Sequence, residues 1–517
     1  MHMRRRTIRL LIAFLVLLLT ALLLAGCPNF TQDTDPVLGE FDRLRPDVDE
    51  ERYSKQWNLD FIAMEQAWGV LHSEEVSGML GDGLPREVVV AVLDTEIDVK
   101  HPDLQGLLLD SFDATEYEGN DADSAVAGAN PESAASHGTH VAGIVATAAD
   151  NNQGIAGVGW LPGDVRVRIM PVTVLDAEDG KGESEYILHG LLYAAGLLPD
   201  NKPERTADVI NLSLGSPGAM PDIAEAISDI VDEGITVVAA AGNADVGQDG
   251  CDAFRLFFPA AYPTTIAVGS ANEPDSQRAR YSYCGDQLDI AAPGGSGELD
   301  GDEFAEYGAV FSLASTEHPS DDHMRMAGTS MSAPHVAGVA ALLYAVSEDM
   351  TPSSVRQILT ETASPVTHAG SLPNREYGWG ILNAERAVRR ALMKPYGPYR
   401  DDGSATVHES WPFSPQGTME TEKAGSSAPP AEGTYATDRA ALVLEPDWFD
   451  ATSTESRRKR LDEIADLHNL ESIPDRGHRY PTAHLREGDE VSSGLLEALG
   501  GEPEIRVADY SMFFYRQ

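Results

Sequence analysis

Apolar residues along this chain gather into runs of distinct periodicity. Val88-Val89-Val90-Ala91-Val92-Leu93 and Ile235-Thr236-Val237-Val238-Ala239-Ala240-Ala241 are short and almost unbroken. Such runs predict strands buried on both faces of a parallel sheet, since a strand with one wet face alternates instead. A third strand is expected over Thr264–Ser270. The run Val336–Val346 is longer and follows Gly328-Thr329-Ser330-Met331-Ser332-Ala333-Pro334-His335, so it predicts a buried helix that Thr329 can cap. Pro334 has no amide, which leaves one carbonyl of the opening turn without its helical partner. Near the C-terminus, Ala441–Leu444 and Ile505–Tyr515 read as strands. Leu461, Ile464, Ala465 and His468 recur at helical spacing over 456–470, and a second helix is expected from Ser493 to Leu499, stopped by Gly500-Gly501.

The ends of the buried runs carry chemistry. Asp94 closes the first strand, where catalytic groups of open α/β sheets gather. His137 opens His137-Gly138-Thr139-His140-Val141-Ala142-Gly143, with Ser136 as a candidate cap, and Asn243 follows Ala241-Gly242. Ser330 lies at a helix mouth, where backbone amides and the positive dipole end suit developing negative charge. A serine nucleophile needs a base and a group to orient that base. Acid, histidine and serine occur here in the order Asp94, His137, Ser330.

Taken together, these segments resemble the subtilisin-like serine proteases (subtilase family, peptidase family S8). The resemblance implies an Asp94–His137–Ser330 triad, with Asn243 and the Ser330 amide holding the oxyanion and His140 as a packed structural residue. It implies an α/β fold with a mostly parallel sheet and helices on both faces. It also implies that Ser213, Leu214 and Gly215 bind extended substrate along an open strand edge by main-chain pairing. Phe258-Pro259-Ala260-Ala261-Tyr262-Pro263 is similar to the segment behind the primary specificity pocket, and Phe257 stands where a small residue is common, which would raise the pocket floor. The family reads Asp-Ser/Thr-Gly after the first strand, whereas Asp94-Thr95 is followed by Glu96. That carboxylate either perturbs the orienting acid, faces the cleft, or sits solvated in its loop. Asp103 and Asn152 match segments that hold a structural calcium in many relatives, although an Asn-rich turn alone is unremarkable. The triad chemistry itself calls for no metal. The competing reading, a non-catalytic subtilisin-like binding scaffold, would be marked by a lost triad or oxyanion residue, and none is lost.

Composition adds an address. Arg4-Arg5-Arg6, the apolar run Leu10–Leu24 and Leu24-Ala25-Gly26-Cys27 make a secretory signal, and the run is short for a membrane span. Leu-Ala-Gly-Cys resembles the bacterial lipobox, which implies lipidation of Cys27 and a protein anchored to a bacterial membrane in the cell envelope, facing the periplasm or exterior. The alternative is an uncleaved signal anchor. Of three cysteines, Cys251 and Cys284 remain, in segments that converge in the resembling fold; they form either a disulfide or two separate thiols. The net charge of −46 argues against nucleic acid and against adhesion to anionic lipid. Protein or peptide substrates and a monomeric enzyme are the expected partners and state.

These signals divide the chain into a leader (1–26), an acidic tether (27–50), a catalytic domain (51–393), a flexible linker (394–437) and a small α+β module (438–517). The tether is too short for the folded propeptide common in relatives. Arg457-Arg458-Lys459-Arg460 reads as a dibasic cleavage site or a solvated helix face.

Overall fold

The computed structural model describes residues 41–393, apart from 81–86, 118–135 and shorter loop segments, together with the strands Tyr435–Leu444, Thr482–His484 and Ile505–Arg516. The expected signal segment, Cys27, most of the expected linker and the helices expected over 456–470 and 493–499 lie outside the described residues.

The core is a sheet built from β1 (Val88–Asp94), β2 (Phe112–Asp113), β3 (Val167–Thr173), β4 (Val209–Leu212), β5 (Thr236–Ala240), β6 (Ile266–Asn272) and β7 (Ile290–Pro293). Their spatial order is β7-β6-β5-β4-β1-β3-β2, all parallel, with the short Gln277–Arg278 strand antiparallel beside β6. The order reverses between β1 and β4, and ligand sites of open α/β sheets lie beyond the carboxyl ends at such a point.

Strand periodicity decides which face each β1 residue serves. Val89, Ala91 and Leu93 pack with Ile187 and Leu191 of the helix Ser184–Ala194 and with Ile223 and Ile227 of Pro221–Asp232. Val88, Val90, Val92 and Asp94 alternate with them and are equally buried. The other face of the sheet is covered by the histidine helix Ser136–Val145 and the serine helix Thr329–Val346, which pack on each other and on β1. The parity of β1 therefore aims Asp94 at the face carrying His137 and Ser330. The serine helix is apolar all round because all 18 of its residues are buried.

Two expectations about organisation change. Residues 41–49, assigned to the tether, are docked on the catalytic domain: the Leu44 N–H donates to the Glu65 carbonyl at 2.9 Å, and Gly69 lies so close to the Asp42 carbonyl that a Cβ there would stand 2.0 Å from it. The strand Ile505–Arg516 is also not confined to an appended module. Its first eight residues run antiparallel beside Tyr435–Leu444, and its last four residues pair with strands of the catalytic domain.

Candidate active site

Asp94 ends β1 fully buried, and its Oδ1 accepts the Thr95 N–H at 2.7 Å and the His137 Nδ1–H at 2.6 Å. Nothing bulkier than glycine fits between the two elements, because a Cβ on Gly138 would lie 2.3 Å from the Thr95 carbonyl. The Gly138 N–H instead donates to Thr95 Oγ1 at 3.0 Å. With Nδ1 committed to the carboxylate, the imidazole carries its lone pair on Nε2. That nitrogen is buried and has no hydrogen-bond partner among the described residues. A buried imidazole nitrogen left unpartnered is a base awaiting a proton.

Ser330 is the second residue of its helix, so its own amide is one of those without an intrahelical partner. Its Oγ donates to the Ser213 carbonyl at 3.1 Å. In return the Ser213 hydroxyl donates to the Ser330 carbonyl at 2.7 Å and accepts the Asn211 Nδ2–H at 3.0 Å. The Ser330 carbonyl is the one released by Pro334, four residues on. Ser213 thus supplies the donor that the proline removed and clamps the nucleophile from the end of β4. The sequence marks Ser213 only as a substrate-binding residue; the missing amide at Pro334 is the signal for this second role.

Asn243 follows β5. Its Oδ1 accepts both the Thr329 N–H and the Thr329 hydroxyl at 3.0 Å, so the amide's other end is the donor Nδ2 that an oxyanion requires. This corrects the expected role of Thr329. The helix cap position is Gly328, and Thr329 stands inside the first turn, orienting Asn243 and accepting the Gly242 N–H at 3.2 Å. Ser136 is likewise inside its helix, at the first residue.

Two further buried histidines lie in the helices that carry His137 and Ser330. The His140 Nε2–H donates to the Val310 carbonyl at 3.2 Å, and burial, with the neighbouring His137 adding to it, depresses its pKa to about 3. The His335 Nδ1–H donates to the Met331 carbonyl at 2.7 Å and its Nε2 accepts the Asn58 amide at 2.8 Å; burial lowers its pKa to about 4. Both stay neutral at ordinary pH. Glu96 is half-buried in the loop after Asp94.

Beside the site, Phe257 lies between the two chain segments that flank the nucleophile. A Cβ on Gly215 would stand 3.1 Å from Phe257 Cβ, one on Gly242 2.9 Å from its Cγ, and the ring stacks on Tyr283 at 4.9 Å. Cys251 and Cys284 are bonded as a disulfide, with Cα atoms 5.0 Å apart. The expected strand edge, Leu214–Gly215, does not stand open; it pairs with Ile505–Arg516.

The calcium residues fit the ion poorly. Asp103 Oδ2 accepts the Ile155 N–H at 3.0 Å and faces His323 Nε2 at 3.4 Å, while exposed Asn152 sits in a left-handed turn. Calcium takes six to eight oxygens, whereas Asp103 Oδ2 meets the Ile155 amide and the His323 ring nitrogen.

Comparison with known proteins places these residues in context. The model of the Subtilase family matches residues 85–380. The major intracellular serine protease of Bacillus subtilis is 35% identical over 264 residues, covering 51% of this chain and 70% of that protein. Thermitase of Thermoactinomyces vulgaris is 31% identical over 336 residues, 65% of this chain and 96% of its own length. Among solved structures, a protease of Pseudoalteromonas arctica superposes with a TM-score of 0.51 at 30% identity, covering 67% of this chain and 99% of that one.

Proposed function

The chain belongs to the subtilase family and is a serine endopeptidase, and from that premise we propose that it works as an exported, lipid-anchored enzyme that cleaves peptide bonds through an acyl-enzyme intermediate. The observation that carries the chemistry is the 2.6 Å contact that holds His137 Nδ1 on Asp94 and leaves Nε2 as the base. Ser330 Oγ turns from the Ser213 carbonyl to His137 Nε2, gives up its proton and attacks the scissile carbonyl. The oxyanion is held by Asn243 Nδ2 and the Ser330 amide, and Asp94 stabilises the imidazolium. His137 then returns the proton to the leaving amine, and water releases the acyl group by the same route. Phe257, filling the space between Gly215 and Gly242, favours a small side chain before the scissile bond.

Anchoring rests on the basic start, the short apolar run and Leu24-Ala25-Gly26-Cys27, with the acidic chain beyond the leader keeping the enzyme off anionic lipid except through its acyl chains. Two labels test the reading. A fluorophosphonate should modify the parent chain and leave Ser330→Ala unmodified; equal labelling of both would remove Ser330 from the chemistry. A fatty-acid analogue fed to cells should enter the parent chain and not Cys27→Ser, and label persisting in the variant would sink the anchor.

A further inference from the structure

Extended substrates bind proteins by adding a strand to an exposed edge, and here one strand of the chain itself takes that place. Tyr515 pairs antiparallel with Gly215, and Arg516 with Leu214. On its other side the same segment pairs with Lys181–Glu183, in the register Phe513 to Glu183, Phe514 to Gly182 and Tyr515 to Lys181. Tyr515 is therefore paired on both sides, the middle strand of a three-stranded clamp. A peptide continuing this register by one position reaches Ser213, whose carbonyl accepts from Ser330 Oγ and whose hydroxyl holds the Ser330 carbonyl. The register thus leads along the cleft to the nucleophile.

We propose that Ile505–Arg516 is a built-in occupant of the substrate cleft, closing it against protein and peptide substrates until it is displaced. This rests on the endopeptidase reading above. The occupant is presented ready-made. Its first eight residues run beside Tyr435–Leu444, from Leu444 opposite Ile505 to Tyr435 opposite Met512, so one continuous strand is shared between that partner and the cleft. A segment already extended loses less freedom on binding than a loose peptide does. Tethering adds to this. At an effective concentration on the order of 1 mM, a strand of about 0.1 mM affinity closes about nine clefts in ten. Occupancy of this kind is competitive, so it raises the apparent KM about tenfold and leaves kcat unchanged.

The test uses the whole chain. Tyr515→Pro and, separately, Phe513→Pro remove a backbone donor from the clamped segment, while Tyr515→Phe keeps it. Each protein is titrated with a fluorophosphonate so that only competent sites are counted, and turnover of a short chromogenic peptide is measured. The expected result is a fall of about tenfold in KM for the proline variants, with unchanged kcat and parental behaviour in Tyr515→Phe. A synthetic peptide of residues 505–517, added at about 1 mM to Tyr515→Pro, should inhibit competitively. Values of kcat/KM within twofold of the parent in both proline variants, or a synthetic peptide that does not compete, overturn the proposal. Absence of fluorophosphonate labelling in the parent and every variant is a different failure, and it would sink the endopeptidase reading on which the proposal rests.

Discussion

Ser213→Ala should destabilise the fold by an amount that a second substitution can largely restore. The Ser213 hydroxyl serves two buried partners, donating to the Ser330 carbonyl and accepting from Asn211 Nδ2. Alanine leaves the carbonyl unsatisfied in a fully buried place, which costs about 1–3 kcal/mol, and loses the Asn211 bond, worth about 1 kcal/mol more. The sum is about 2–4 kcal/mol. Yet the carbonyl is orphaned only because Pro334 has no amide. In a Pro334→Ala background the restored N–H can close the helical bond to residue 330, so Ser213→Ala should cost only about 1 kcal/mol. The cycle therefore predicts a coupling of about 1–3 kcal/mol, with the double variant more stable than additivity allows. The assay is denaturant unfolding of the four proteins, all carrying Ser330→Ala to prevent self-digestion, since that change leaves the backbone carbonyl in place. Additivity within about 0.5 kcal/mol would refute the account of how the proline and Ser213 are matched.

Asn243→Ala should lower kcat by about 10²–10³ with little change in KM, because the lost donor faces charge that develops only in the transition state; unchanged turnover would remove Asn243 from the oxyanion site. Phe257→Gly should open the space between Gly215 and Gly242 and raise kcat/KM for substrates with an aromatic residue before the scissile bond on the order of 10–100-fold, read from a peptide library. Acid should weaken the fold through its buried neutral histidines. With folded pKa values of about 4 for His335 and about 3 for His140 against 6.5 unfolded, the unfolded chain binds protons first as pH falls. Their stability contribution is whole above pH 6.5 and is lost between there and pH 4 to 3, about 3 kcal/mol for His335 alone. Unfolding midpoints followed from pH 7 downward should fall over that window, and His335→Gln should flatten the slope.

Much of the fold and the catalytic constellation is legible in the sequence. β1 and β5 announce themselves because a strand buried on both faces is made almost wholly of apolar residues, so the polar residue after such a run stands out as a candidate site. The serine helix is legible for the same reason, and its proline marked in advance which carbonyl would need a partner. What stayed illegible were matters of which group meets which across long separations. Thr329 looks like a cap from its neighbours alone; only the loop after β5, 86 residues away in sequence, draws its hydroxyl to Asn243. Ser213 reaches Ser330 across a separation of 117 residues, and either hydroxyl alone reads as an ordinary serine. Residues 41–49 carry no apolar run; they dock through scattered contacts such as the Leu44 amide on Glu65 and the Arg43 side chain on Asp60, which leave no periodic signal. Ile505–Arg516 can be recognised as a strand from its residues, but its partners cannot. Side-chain periodicity reports which face of an element is buried, whereas strand partners are chosen by backbone N–H and C=O groups that every residue shares, so the occupant of the cleft was a decision of the tertiary structure alone.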